Sequence, residues 1–213
     1  MAKEFTHLDF ENYTKVEHGY LILPDPDEKL KALPDIYDRI CGALALARKI
    51  GGNTNSRSIR EEALSETMLR ATLAEFFSFG EYVKEFYSSH KKNIWFNEHV
   101  DTDPIFHMLK LLRNYNVHVD TSSLSTKSMD VMIPAFPENV VTIQVPFVSN
   151  LSIEGFSKVK AAHQYKSCLQ QLIDVFEEQQ HEFGIDALII KCVLENQQRL
   201  NVLLDTERKG EAL

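Results

Sequence analysis

Residues 59–88 read IREEALSETMLRATLAEFFSFGEYVKEFYS, and the spacing within this stretch decides the fold class. Leu64, Met68, Thr72, Phe76, Phe79, Val83 and Phe86 recur at three- and four-residue steps, the period of a helix with one apolar face. Glu61, Glu62, Arg70, Glu75, Glu81 and Lys84 occupy the other faces. An aromatic stripe of this kind is what a helix presents to a core. The stretch therefore predicts a long amphipathic helix from about Ile59 to Ser88, and a core built from helices around it.

The same period continues on both sides. Upstream, Leu30, Leu33, Ile36, Tyr37, Ile40, Leu44 and Ala47 predict a helix whose regular part begins near Pro34, because proline suits a first turn and breaks an interior. Gly51-Gly52-Asn53 ends it. Downstream, Asp103-Pro104 supplies an N-cap acceptor and a first-turn proline, and Ile105, Leu109 and Leu112 form the buried stripe of a third helix. Two further helices are expected, over Phe156–Phe183 and Ile185–Leu204, joined at Gly184 and so antiparallel neighbours.

Residues 119–150 change character. Asp130–Ile133 and Val140–Val145 read as short strands, and alternation at Val141, Ile143, Val145 and Phe147 supports one half-buried face. The expectation is a mainly α protein: an up-and-down antiparallel bundle of about five helices with a small β-hairpin inserted at about 128–148. Residues 1–25 read as an N-terminal arm, and Tyr20–Leu23 within it as extended chain or an edge strand. Residues 26–206 form the bundle domain, and 207–213 a frayed tail.

Composition narrows the function classes. Of 213 residues, 44% are apolar and 25% charged, which is ordinary for a soluble globular domain. The net charge of -8 argues against a broad nucleic-acid-coating surface but leaves room for a local basic pocket. Cys41, Cys168 and Cys192 are far apart and form no C-x-x-C pair, so they fit reduced core thiols in a cytoplasmic protein. The first ten residues lack the apolar region of a signal peptide, and no apolar run approaches membrane-spanning length.

Phosphate-loop, dinucleotide-binding, zincin and nucleophile-elbow motifs are all absent. His99, Asp101, Asp103 and His107 have metal-ligand chemistry by type. Asp103 is better explained as a helix cap, so neither a metal nor an organic cofactor is expected.

One segment carries a chemical hypothesis: Leu111-Leu112-Arg113-Asn114-Tyr115-Asn116-Val117-His118-Val119. Metal-free RNA cleavage needs a base for the 2′-OH proton, an acid for the leaving oxygen and cationic donors for the phosphorane. His118 titrates in the right range for base or acid, and Arg113 offers a planar fork for phosphate. On an ideal helix a five-residue step turns about 140°, so Arg113 and His118 do not share a face, whereas Asn114 and His118 do. One copy offers one His where acid and base want two groups. A twofold dimer of such helix ends would supply both.

This Arg-Asn-x-x-x-His pattern resembles the Arg-x4–6-His motif of the HEPN superfamily (higher eukaryotes and prokaryotes nucleotide-binding), whose bundles carry the motif on a late helix with one or two helices after it. The resemblance implies a metal-independent endoribonuclease, leaving 2′,3′-cyclic phosphate ends and acting as a homodimer in toxin–antitoxin, abortive-infection or other phage-defence settings. It assigns catalysis to Arg113, Asn114 and His118. RNA and an antitoxin or defence partner are then the expected partners, with no membrane role. Many members paired with a nucleotidyltransferase antitoxin have Tyr two residues after the His. Asp120 stands there, so that pairing is not expected. Family members often place a polar residue on an earlier helix, a place that Glu75 or Glu81 can fill. Lys110, Lys91 and Lys92 are candidates for contacting the substrate.

Two other readings use the same residues. A non-catalytic dimerisation or binding module would leave Arg113 and His118 free to be buried or far apart. A small-ligand sensor would need an apolar cavity among Phe76, Phe77, Phe79 and Tyr82.

Overall fold

The computed structural model describes residues 7–52, 60–89, 102–118, 123–133 and 136–210. It is a helical bundle carrying a two-stranded antiparallel hairpin. In chain order its elements are α1 (Pro34–Ala47), α2 (Glu61–Ser89), α3 (Pro104–His118), β1 (Ser123–Ile133), β2 (Phe136–Ser149), α4 (Ile153–Ser157), α5 (Leu169–His181) and α6 (Gly184–Gly210). Among the described residues, no helix is long and apolar enough to cross a membrane.

The first three helices begin where local chemistry starts them. Pro34 opens α1. Asp103 caps α3, its Oδ1 accepting from the Ile105 amide at 2.9 Å. Helix α1 buries Ile36, Ile40, Ala43, Leu44 and Ala47. Helix α2 buries Leu69 and Leu73 as well as Phe76, Phe79 and Val83, a wider stripe than one neighbour would need. It packs on α1 at one side and α3 at the other. The α1 approach is close at Gly42, where an added Cβ would lie 3.2 Å from Glu75 Oε2.

Helix α3 is buried almost all round: Ile105, Phe106, Met108, Leu109, Leu111 and Leu112 are all inaccessible. Such a helix lies inside the bundle rather than on it. Its first turns are covered by aromatic neighbours. Phe106 sits edge-on against Phe76 and Phe77, with ring centroids 5.7 and 5.3 Å apart.

The hairpin is longer than the expected 128–148. Pairing runs from Ser123↔Ser149 to Met132↔Val140 in regular register, then shifts to Ile133↔Phe136. Strict alternation of burial along β2 does not hold. Val145, Pro146 and Val148 are buried where the base of the hairpin meets α5 and α6, whereas Val140 and Val141 are exposed further out. Burial here follows distance from the bundle, not the pleat.

Of the two readings of Tyr20–Leu23 the arm holds: it runs along the surface with Ile22 86% exposed, and no strand pairs with it among the described residues. One expectation is corrected. The expected single helix over Phe156–Phe183 is broken into α4, a 3₁₀ turn at Lys160–Tyr165, and α5. Its buried residues explain why. Phe156, Val159, Ala162 and Tyr165 recur every three residues, which keeps one face on a 3₁₀ path but drifts off the face of an α-helix. Helix α6 also runs further than expected, to Gly210.

Candidate functional site

The Arg-Asn-x-x-x-His segment forms the last two turns of α3. Arg113 is exposed, and its guanidinium carbon lies 6.0 Å from the centre of the Phe77 ring of α2, a cation–π arrangement. Asn114 is half-buried. His118 is the final residue of the helix, where the dipole favours a cation; only its backbone lies within the description.

Helical geometry sets Lys110, Asn114 and His118 along one side and Arg113 at its margin. With about 100° per residue, Lys110, Asn114 and His118 step round the helix by about 40° each, and Arg113 lies about 60° to the other side of Lys110. The four thus share one arc of about 140°. Earlier on α3 the same arc carries Phe106 and His107, and both are buried. Phe77 covers the first. The second faces Tyr165, whose hydroxyl is 2.6 Å from His107 Nδ1. The arc opens only in the last two turns, where Lys110 and Asn114 are half-buried and Arg113 reaches solvent.

The two carboxylates expected to support the motif are placed differently. Glu75 is held by Arg39 of α1, whose Nη1 lies 2.9 and 3.1 Å from its two oxygens. Positions 75 and 77 are about 200° apart on a helix, so Glu75 is turned away from the ring that meets Arg113. Glu81 follows Phe77 by four residues and shares its side of α2; it is exposed and lies 3.8 Å from Lys84. Lys91 and Lys92 fall outside the described residues.

Of the residues with metal-ligand chemistry, His99 and Asp101 fall outside the described residues, while Asp103 is occupied at both oxygens. Its Oδ2 lies 2.5 Å from Thr14 Oγ1, which is also 2.5 Å from Glu195 Oε2. A hydroxyl has one proton to give, so two carboxyls around it are best satisfied when one of them holds a proton. Burial pushes the Asp103 carboxyl up, opposed by its bonds to Thr14 and Ile105. The contact ties the N-terminal arm to the start of α3 and the middle of α6.

The apolar cavity that the ligand-sensor reading requires among Phe76, Phe77, Phe79 and Tyr82 is not seen among the described residues: Phe76, Phe77 and Phe79 are buried, and the Phe76, Phe77 and Phe106 rings pack edge-on against one another. A larger opening lies elsewhere, and the sequence reading missed it. A cleft of about 920 Å³ is bounded by the arm at His18–Leu21, the end of α1, the hairpin and the α5–α6 turn. Its available signal was the pairing of Gly51-Gly52 with Gly184, two turns that let the chain approach the hairpin. Gly51 has φ +75° and Gly184 φ +91°.

Asp186, in the first turn of α6, lines this cleft. Burial raises its carboxyl to about 6, against hydrogen bonds from the Ala187 and Asp186 amides and the charge of Arg48. Between the ordinary carboxylate range and about 6, the folded chain holds a proton that the unfolded chain has released. Stability contributed by this group is therefore greatest in acid and is lost as pH rises through about 6. We expect Asp186→Asn to be more stable than wild type at pH 7.5, on the order of 2 kcal/mol, with the difference vanishing near pH 4. Urea denaturation of both chains at the two pH values checks this; an equal difference at both would contradict it.

Comparison with known proteins finds no match: no family model, no curated protein and no solved structure is similar to the chain.

Proposed function

We propose that the chain is a metal-independent endoribonuclease of the HEPN type, cytoplasmic, acting as a homodimer, in a toxin–antitoxin or phage-defence setting. The observation that carries this reading is the opening of the polar arc at the end of α3. Arg113 reaches solvent there one turn after Lys110, and Asn114 stands half-buried one turn before His118, on a helix whose earlier turns are buried.

In this reading His118 moves the proton, as base toward the 2′-OH or as acid toward the leaving oxygen. Arg113 stabilises the phosphorane charge, its guanidinium held in place by the Phe77 face. Asn114, on the His118 side of the arc, orients the phosphate or the imidazole. A second copy brings the second His and Arg, so that acid and base are separate groups.

The test is cleavage of total cellular RNA in excess EDTA by wild type, Arg113→Ala and His118→Ala, with folding confirmed by circular dichroism. Wild type should leave 2′,3′-cyclic phosphate ends, and each variant should lose at least about a hundredfold in rate. Binding of uncleaved RNA should weaken steeply between 50 and 200 mM salt. Equal cleavage by all three chains would place the activity elsewhere. Absence of cleavage by folded wild type would leave a non-catalytic dimerisation module.

A further inference from the structure

The N-terminal arm lies over the bundle with little of itself buried. Of its described residues, 7–25, Thr14 alone is buried, at 3% exposure. Leu8, Phe10, Tyr13 and Val16 rest half-buried on the core. Two neutral hydrogen bonds hold the backbone on either side of Thr14. The Asp9 amide donates to the Thr102 carbonyl at 2.8 Å, and the Val16 amide donates to Gln179 Oε1 of α5 at 3.0 Å.

Between these bonds the Thr14 hydroxyl meets two carboxyls, Asp103 Oδ2 and Glu195 Oε2, each at 2.5 Å. The two are not equivalent. Glu195 Oε1 lies 3.2 Å from Lys191 Nζ and its Oε2 lies 3.9 Å from Arg199 Nη2, so two cations oppose its charge. Asp103 is 4% exposed and forms no ion pair among the described residues. An enclosed carboxylate without a cation is costly, and burial holds this carboxyl above the usual carboxylate range. The proton therefore belongs on Asp103 Oδ2. Asp103 then donates to Thr14, and Thr14 donates to Glu195. Two protons serve three groups, and no acceptor faces another acceptor.

We propose that this chain of hydrogen bonds is a proton latch: with Asp103 protonated the arm is fastened across α3 and α6, and when Asp103 loses its proton the arm lifts. Without that proton, two carboxylates compete for one hydroxyl hydrogen. One of them then meets an oxygen lone pair at hydrogen-bond distance, and two negative charges flank Thr14. Lifting the arm returns both to water. The closed arm holds a proton that the lifted arm gives up, so the latch is fastened in acid and weakens as pH rises through the raised Asp103 value.

Other groups around the latch do not supply this response. On α6, burial pushes the Cys192 thiol up, and Lys191 and Arg199 stay cationic as the partners of Glu195. On the arm, burial raises the Tyr13 and Tyr20 hydroxyls, with Glu178 of α5 beside the first. His107, one turn along α3 from Asp103, faces Tyr165. Any titration of His107 is common to wild type and Asp103→Asn and drops out when the two are compared. The latch is independent of the ribonuclease reading, since it uses none of the motif residues.

The test is amide hydrogen exchange followed by ¹H–¹⁵N spectra, expressed as protection relative to an unstructured chain. In wild type, protection of the Asp9 and Val16 amides should fall at least about tenfold between pH 4 and pH 8. The Leu109 amide, inside α3, should remain at least about tenfold better protected than either at pH 8, because the arm lifts from a folded bundle. Asp103→Asn imitates the protonated acid: its Oδ1 still accepts from the Ile105 amide and its Nδ2 donates to Thr14. Its arm amides should keep their pH 4 protection at pH 8. Thr14→Val removes the hydroxyl at nearly constant shape and should lower Val16 protection at least about tenfold at pH 4. The proposal is overturned by a flat wild-type profile, by the same pH dependence in Asp103→Asn as in wild type, or by arm amides as protected as Leu109 at pH 8. Should Asp103→Asn not fold, undiminished Val16 protection in Thr14→Val at pH 4 would overturn it equally.

Discussion

Replacing Gly184 with Ala is expected to cost about 3–5 kcal/mol of stability. Two penalties coincide. Gly184 has φ +91°, a backbone conformation that an L side chain adopts only under strain. An added Cβ would also stand 2.6 Å from Val145 Cγ1, and 2.8 Å from both the Pro146 carbonyl oxygen and Asp186 Oδ1. A flexible side-chain tip could swing aside, but the Pro146 carbonyl belongs to the strand backbone. Moving it means lifting the base of the hairpin from α6. Urea denaturation should show a lower midpoint with an unchanged slope, because the native surface buried is nearly the same. A loss under about 1 kcal/mol would mean that the hairpin base yields easily.

The second large effect is expected at Gln180, a buried polar residue near the end of α5. Its side-chain amide treats Val148 as a neighbouring strand would. The Val148 amide donates to Gln180 Oε1 at 2.8 Å, and Gln180 Nε2 donates to the Val148 carbonyl at 2.7 Å. The outer edge of β2 is thereby closed at that point by a side chain instead of a third strand. Gln180→Leu keeps the approximate volume but leaves both backbone groups buried and unpaired, at about 2–4 kcal/mol. Gln180→Glu separates the two bonds. Its carboxylate can still accept from the Val148 amide but meets the Val148 carbonyl without a proton. Its thermal stability should therefore recover on acidification, as the protonated acid regains a donor. If Gln180→Leu melts with wild type, the paired bonds contribute nothing net, and the hairpin is held by Val145 and Val148 packing alone.

Both substitutions act where the hairpin meets the bundle, and that junction is the part of the fold least legible in the residues. Alternation along β2 suggested one half-buried face, yet the face that counts is set by how close each residue lies to α5 and α6. Nothing local to 140–149 encodes where those helices stand. The break between α4 and α5 is different in kind. Phe156, Val159, Ala162 and Tyr165 declare it through a strict three-residue step, a signal easily absorbed into the mixed three- and four-residue steps of an α-helix. Tyr20–Leu23 has the composition of a strand but no partner edge, and β propensity without pairing does not make one.

The chemistry of the α3 motif divides along the same line. Residue types, spacing and the family resemblance singled out Arg113, Asn114 and His118, and helix geometry alone separated Arg113 from His118. Whether that arc reaches solvent was not local information. Its covers, Phe77 and Tyr165, lie far away in the chain, one on α2 and the other in the 3₁₀ turn before α5. The same holds for Glu75: its place on α2 was readable, but its engagement by Arg39 depends on how α1 crosses.

By itself, then, the amino-acid sequence determined where α1 and α3 start and the apolar stripes about which α1, α2 and α3 pack. Proline geometry, the Asp103 cap and apolar periodicity act over a few residues and need no partner. Only the tertiary structure decided which polar groups stay open and which are buried: the last turns of α3 on one side, and Asp186 in the cleft lining on the other. Exposure and hydrogen-bond satisfaction are properties of what lies opposite a residue, and what lies opposite is brought there by packing of distant segments.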